Sequence, residues 1–124
     1  MSGEKCAFAV RDEQGITVVD LTDETIEDRL RVEQFKQKLK QVIADHVLSD
    51  LLVNMRDVSY ISSVVLGTFI SIHKSLRVNG GVLRLCSIRQ PVLEVFQLAL
   101  LDHVFRIHAD EAEAVGSCLR GSAQ

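Results

Sequence analysis

Asp57-Val58-Ser59-Tyr60-Ile61-Ser62-Ser63 is the segment of this chain best placed to do chemistry. It joins a short apolar run, Leu51 to Met55, to a helical pattern that starts at Ser62 or Ser63. A helix start presents N–H groups without intrahelical partners and the positive end of the helix dipole, so it favours anions. Placed after a strand, it opens at the strand's carboxyl end, where ligands of open α/β sheets gather. Two uses of the serines follow. One is an ordinary N-cap, worth about 1 kcal/mol to the helix. The other is a hydroxyl that accepts a phosphoryl group, adding a charge of about −2 that the helix end tolerates and a docked partner does not. The local residues leave both open.

Other chemistry is sparse. The chain has no Gly-rich phosphate loop with Lys-Ser/Thr, no Gly-x-Gly-x-x-Gly, no Gly-x-Ser-x-Gly and no His-Glu-x-x-His, so no enzymatic activity and no cofactor are expected. His46, His73, His103 and His108 are separated, and the last two lack the thiols or carboxylates of a zinc site; no metal is expected. Cys6, Cys86 and Cys118 are odd in number and form no Cys-x-x-Cys pair, which fits reduced thiols in a cytoplasm. Cys86 lies in an apolar strand, where a thiol packs as a small hydrophobe.

The elements that must position the serine loop read in order. Cys6 to Val10 and Ile16 to Leu21 form a hairpin around Arg11-Asp12-Glu13-Gln14-Gly15. A long amphipathic helix, capped by Thr22 or Asp23, carries Ile26, Leu30, Phe35, Leu39, Val42 and Ile43 to about His46, with a change of phase near Asp28. Leu51 to Met55 is nearly continuous in apolar residues, the pattern of a central strand covered on both faces. The serine helix then runs to about Asn79, with Val65, Phe69, Ile72 and Leu76 on one face and Gly80-Gly81 at its end. Val82 to Cys86 is a strand, Pro91 opens a helix carrying Val92, Val95, Phe96 and Leu100, Val104 to Ile107 is a short strand, and Asp110 to Leu119 a closing helix. Alternating strands and helices demand parallel pairs joined by helical crossovers, hence an α/β fold with a mixed sheet.

Composition sets the outer bounds. A chain of 124 residues, 47% hydrophobic and 25% charged, has the size and make-up of one globular domain. We assign it to residues 1–120 and a flexible tail to 121–124. A net charge of −3 provides no field to draw the chain onto nucleic acid, and the longest apolar stretch, around Val64 to Ile72, falls far short of the roughly 20 residues of a membrane span. Neither a signal peptide nor a membrane segment is expected.

The segment from Leu52-Val53-Asn54-Met55-Arg56-Asp57 through Ser62-Ser63-Val64-Val65-Leu66-Gly67 resembles the central stretch of STAS domains. That fold is shared by bacterial anti-sigma factor antagonists and the cytoplasmic tails of sulfate transporters. The likeness continues without a gap through Gly80-Gly81, Leu85-Cys86, Ile88, Val92, Phe96, Leu101, Phe105 and Ile107. It implies a four- to five-stranded mixed sheet with helices mainly on one face. It also implies a binding module: unphosphorylated, the domain captures an anti-sigma factor of the serine-kinase type; phosphorylated, it lets go; a serine phosphatase resets it. Ser63 falls on the family's phosphoacceptor and Leu66 on its Leu, with Ser62 as the alternative acceptor. The partner-binding residues would be Asp57, Ser59, Tyr60, Ser62, Ser63, Val64, Val65 and Gly67.

Three positions depart from the pattern. Ser62 stands for the family's Asp, Val64 for its second hydroxyl residue and Val65 for its Gly. These departures allow recognition by a different kinase, or signalling without phosphorylation through an apolar patch at Val64 and Val65. The rival reading is therefore a non-switching STAS scaffold or subunit of a stress-signalling or lipid-transport complex. With no membrane segment in the sequence, the transporter-tail role is not expected.

Overall fold

A computed structural model describes residues 8–21, 25–26, 29–46 and 50–121. Strands β1 (Phe8–Glu13) and β2 (Ile16–Leu21) form the expected hairpin, but Arg11, Asp12 and Glu13 pair within the ladder rather than forming the turn, and the expected start at Cys6 lies outside the described residues. The turn uses Gln14 and Gly15 at positive φ, a geometry that glycine adopts without a Cβ penalty. Next come β3 (Thr25–Ile26), α1 (Arg29–His46), β4 (Leu51–Asn54), β5 (Tyr60–Ile61) and α2 (Ser63–Arg77). The chain ends with β6 (Leu83–Cys86), α3 (Gln90–Leu98), β7 (Arg106–His108) and α4 (Glu111–Gly121). Gly121 belongs to α4 and so lies outside the expected tail; the remaining tail residues fall outside the described ones.

The main sheet has the order β1-β2-β4-β6-β7, antiparallel only at β1–β2 and parallel elsewhere. Three helical crossovers follow, around α1, α2 and α3, because β2 pairs in parallel with β4, β4 with β6 and β6 with β7. The sheet has two unequal faces. Val19, Leu21, Leu51, Val53, Leu83 and Leu85 enter the large core with α1, α2 and α3, whereas Val18, Leu52 and Cys86 pack with Ala114 and Val115 of α4. The period-two alternation of β4 explains its unbroken apolar run: both faces are covered. Phe69 is the hub of the large core, its ring centroid 6.3 Å from those of Phe35 and Phe96 and 6.4 Å from that of Phe105.

One expected element is redrawn. Ile26 sits in β3, paired in parallel with β5 in a separate two-stranded ladder, and the helix begins only at Arg29. Thr and Ile suit a strand, and a partner supplied by the serine loop outweighs the helical spacing. The phase change expected near Asp28 falls between these elements, although Asp28 and the expected caps Thr22 and Asp23 lie outside the described residues. Within α1, Val32, Phe35, Leu39 and Ile43 form the buried stripe.

Candidate functional site at the start of α2

The serine loop leaves β4 through a polar end. Asn54 is only 2% exposed and closes an otherwise apolar strand. Met55 extends the β4–β6 pairing by donating its N–H to the Cys86 carbonyl at 3.0 Å, and the Val58 N–H closes a turn on the Met55 carbonyl at 3.1 Å. Arg56 and Asp57 form the exposed tip, their side chains 3.9 Å apart. Arg89, just before α3, donates its Nε–H to the Arg56 carbonyl at 2.9 Å. Val58 and Ile61 point into the core and anchor the loop, and β5 pairs Tyr60 and Ile61 with Thr25 and Ile26.

The two serines have different positions. Ser62 is the N-cap of α2, with extended backbone (φ −95°, ψ 167°); its Oγ accepts the Val65 N–H at 3.4 Å and its carbonyl accepts the Leu66 N–H at 3.1 Å. Ser63 is the first residue of the helix and is exposed. Of the remaining candidates, Asp57, Tyr60 (48% exposed), Val64 (39%) and Gly67 reach the surface, and Ser59 is half-buried. Val65 does not reach it. At 1% exposure its side chain belongs to the large core, so the apolar patch expected of two valines is reduced to Val64. Successive helix residues point about 100° apart, and Val65 falls on the inward stripe with Phe69, Ile72 and Leu76 while Val64 falls outside it.

Gly67 is exposed in the interior of α2, and a Cβ built there meets nothing within 4 Å. The fold itself therefore gives no steric reason for a residue that is unfavourable in a helix by about 0.5–1 kcal/mol relative to Ala. Arg56 and Arg89 were not among the candidates read from the sequence. Arg89 is brought to the loop by the β6–α3 connection, across 33 residues, and no local pattern signals such a contact.

Other reactive side chains have structural partners. Burial pushes the Cys86 thiol up to about 11 and raises that of Cys118, so neither is readily ionised. His73 Nδ1 accepts the Leu83 N–H at 3.2 Å, and His108 Nε2 lies 3.3 Å from the Arg84 guanidinium. Among the described residues, no group of three His, Cys, Asp or Glu is placed to hold a metal ion, and no helix is long and apolar enough to cross a membrane.

A mixed five-stranded sheet, three helices on one face and one on the other, and an exposed serine opening the helix after the central strand define a small α/β domain of the STAS architecture. Residues 7–114 match the family described as STAS domain, and the chain belongs to that family. Solved structures agree on the fold. An anti-sigma factor antagonist from Mycobacterium paratuberculosis is 22% identical, with a TM-score of 0.77 over 89% of this chain and 91% of that one. The anti-sigma factor antagonist SpoIIAA in its unphosphorylated form is 23% identical, with a TM-score of 0.77 over 93% and 97%. The Bacillus cell fate determinant SpoIIAA in the phosphorylated form is 24% identical, with a TM-score of 0.69 over 90% and 99%.

Proposed function

We propose that this protein is a cytoplasmic anti-sigma factor antagonist. It binds an anti-sigma factor of the serine-kinase type through the surface around the start of α2 and is released by phosphorylation of Ser63. A serine phosphatase restores the binding form, and the protein itself catalyses nothing. The observation that carries the reading is the division of labour between the two serines. Ser62 Oγ is engaged in capping, whereas Ser63 is exposed on the first turn, and Tyr60, Val64 and Gly67 are exposed along the same segment. A dianion at that position meets the free N–H groups and positive dipole of α2, so the fold accommodates it. A partner packed over the same surface would have to desolvate it. Two anti-sigma factor antagonists of the same fold, one of them SpoIIAA, support the reading, as does the structure of the Bacillus cell fate determinant SpoIIAA in the phosphorylated form.

The second reading is the non-switching scaffold. Val64, exposed where the family pattern has a hydroxyl residue, favours it, because an apolar residue beside the acceptor suits a permanent interface. Incubation with the serine-kinase-type anti-sigma factor and ATP, followed by phosphopeptide mapping, separates the two. Label on Ser63 supports the switch, label on Ser62 moves the acceptor by one residue, and binding without label on either leaves the scaffold.

A further inference from the structure

The serine loop is held from a distance. Asn54, the last residue of β4, points to the α4 side of the sheet, because Leu51 and Val53 point to the other. Its Oδ1 accepts the Arg56 N–H at 2.9 Å, and its Nδ2 donates to Glu111 Oε1 at 3.0 Å. The two contacts fix each other. A main-chain N–H demands the amide oxygen, which leaves the amide NH₂ to face α4, where it requires an acceptor. Glu111 supplies that acceptor and is itself held by Arg11 of β1, which donates NH1 to Glu111 Oε2 at 3.0 Å and NH2 to Oε1. Arg11 also pairs with Asp20 of β2, NH2 to Oδ1 at 3.1 Å. These hydrogen bonds from Arg11 lower the pKa of the Glu111 carboxyl and so favour its charged, accepting form.

Asn54 is nearly inaccessible, so an amide there without its acceptor is an unsatisfied buried donor, and it would turn toward whatever partner remained. Arg56, inside the turn that Met55 opens, would lose its N–H anchor while its carbonyl stayed on Arg89. From this geometry we infer that Glu111 is a positioning residue for the docking loop: from the opposite face of the sheet it fixes the Asn54 amide, which fixes the Arg56 peptide and the path of Asp57 to Ser63. The structural part stands by itself. The consequence for partner binding rests on the proposed function and deepens it, because it makes the α4 face a point from which that surface is controlled.

Amide exchange and chemical shifts in the isolated chain test the relay without any partner. Glu111→Ala removes the acceptor, Glu111→Gln keeps a carbonyl for the Asn54 NH₂ while losing the charge that Arg11 binds, and Glu113→Ala loosens the start of α4 without touching Asn54. Glu113 serves as the control because its carboxylate accepts the Ala109 N–H at 2.8 Å. We expect Arg56 N–H exchange to rise at least about tenfold in Glu111→Ala, with shifts along residues 56–63, and to stay near wild type in Glu111→Gln and Glu113→Ala. Equal acceleration in Glu113→Ala, equal acceleration of every core amide, or an unchanged Arg56 in Glu111→Ala overturns the relay. Binding of the serine-kinase-type anti-sigma factor is read separately. If the loop shifts and that protein binds neither variant nor wild type, the proposed function fails and the relay stands.

Discussion

Ser62 and Ser63 are adjacent and chemically identical, yet the fold uses one to cap α2 and leaves the other exposed. Ser62→Ala should cost about 1 kcal/mol of stability by removing the cap, while Ser63→Ala should leave the unfolding free energy within about 0.5 kcal/mol of wild type; denaturant titration reads both. Ser63→Asp should fold normally, since an acid in the first turn suits the dipole. It should bind the anti-sigma factor at least tenfold more weakly, as a docked interface would have to strip water from the charge. Unchanged binding by Ser63→Asp would count against the switch. Gly67 offers a complementary test. Gly67→Ala has open space and should raise stability by about 0.5–1 kcal/mol, so weaker partner binding by this more stable variant would place the interface over Gly67. A variant that both stabilises and binds as wild type would remove Gly67 from the surface. The serine pair was legible in the sequence because cap chemistry and helix phase are local. That Val65 faces inward follows from its stripe with Phe69, Ile72 and Leu76, although the family pattern lists it beside the acceptor. Arg89 and Glu111 were not legible, since each reaches the loop through a long-range contact.

At the scale of elements, the site depends on α2 and β6. Phe69→Ala should destabilise by about 3–5 kcal/mol, because the ring is fully buried among three other phenylalanines and the cavity cannot collapse; a variant that melts like wild type would refute the assigned helix face. Two neutral imidazoles hold β6 from its two sides. His73 of α2 accepts the Leu83 N–H, and His108 of β7 accepts from Arg84, since a guanidinium can only donate. Burial lowers the pKa of both, with Arg77 adding to it for His73 and Arg84 for His108, against the opposing pull of Glu113 on the latter. The unfolded chain therefore takes up these protons near pH 6.5 and the folded chain only at lower pH. Their stabilising effect is complete above about pH 6.5 and is lost as pH falls below it. Melting points measured from pH 8 to pH 5.5 should fall, and the double variant His73→Asn with His108→Gln, which keeps an acceptor at each position without a titrating proton, should show a shallower fall. An equal slope in both proteins would show that other groups govern the acid response. Element order was mostly legible, because apolar periodicity and the caps at Ser62, Gly80 and Pro91 are local signals. The β3–β5 ladder was not, since two residues of strand have no period and exist only by pairing with the serine loop.

Across the whole molecule, the two faces of the sheet are held by different forces. The side of α1, α2 and α3 is a continuous apolar core, whereas α4 adds a small apolar contact through Ala114 and Val115 and is otherwise tied down by polar groups. Arg84, 5% exposed, donates to Asp50 and Ser117, both at 3.0 Å, and Arg11 and Asn54 hold Glu111 at the other end of the helix. Hydrogen bonds exchanged for those of water give a modest net gain, about 0.5–1.5 kcal/mol each, while apolar burial scales with area. The α4 layer should therefore open before the rest. In native-state hydrogen exchange, amides from Val115 to Leu119 should show a lower opening free energy than those of Phe69 to Leu76, even though heat unfolds the domain in one transition. The difference should grow below pH 6.5, because a protonated His108 no longer accepts from Arg84, which lies beneath the same helix. Equal opening energies in the two helices at neutral pH would mean that the polar ties are as strong as the core. The serine loop would then be fixed from both faces with equal firmness, and α4 could not act as the softer side from which its shape is set.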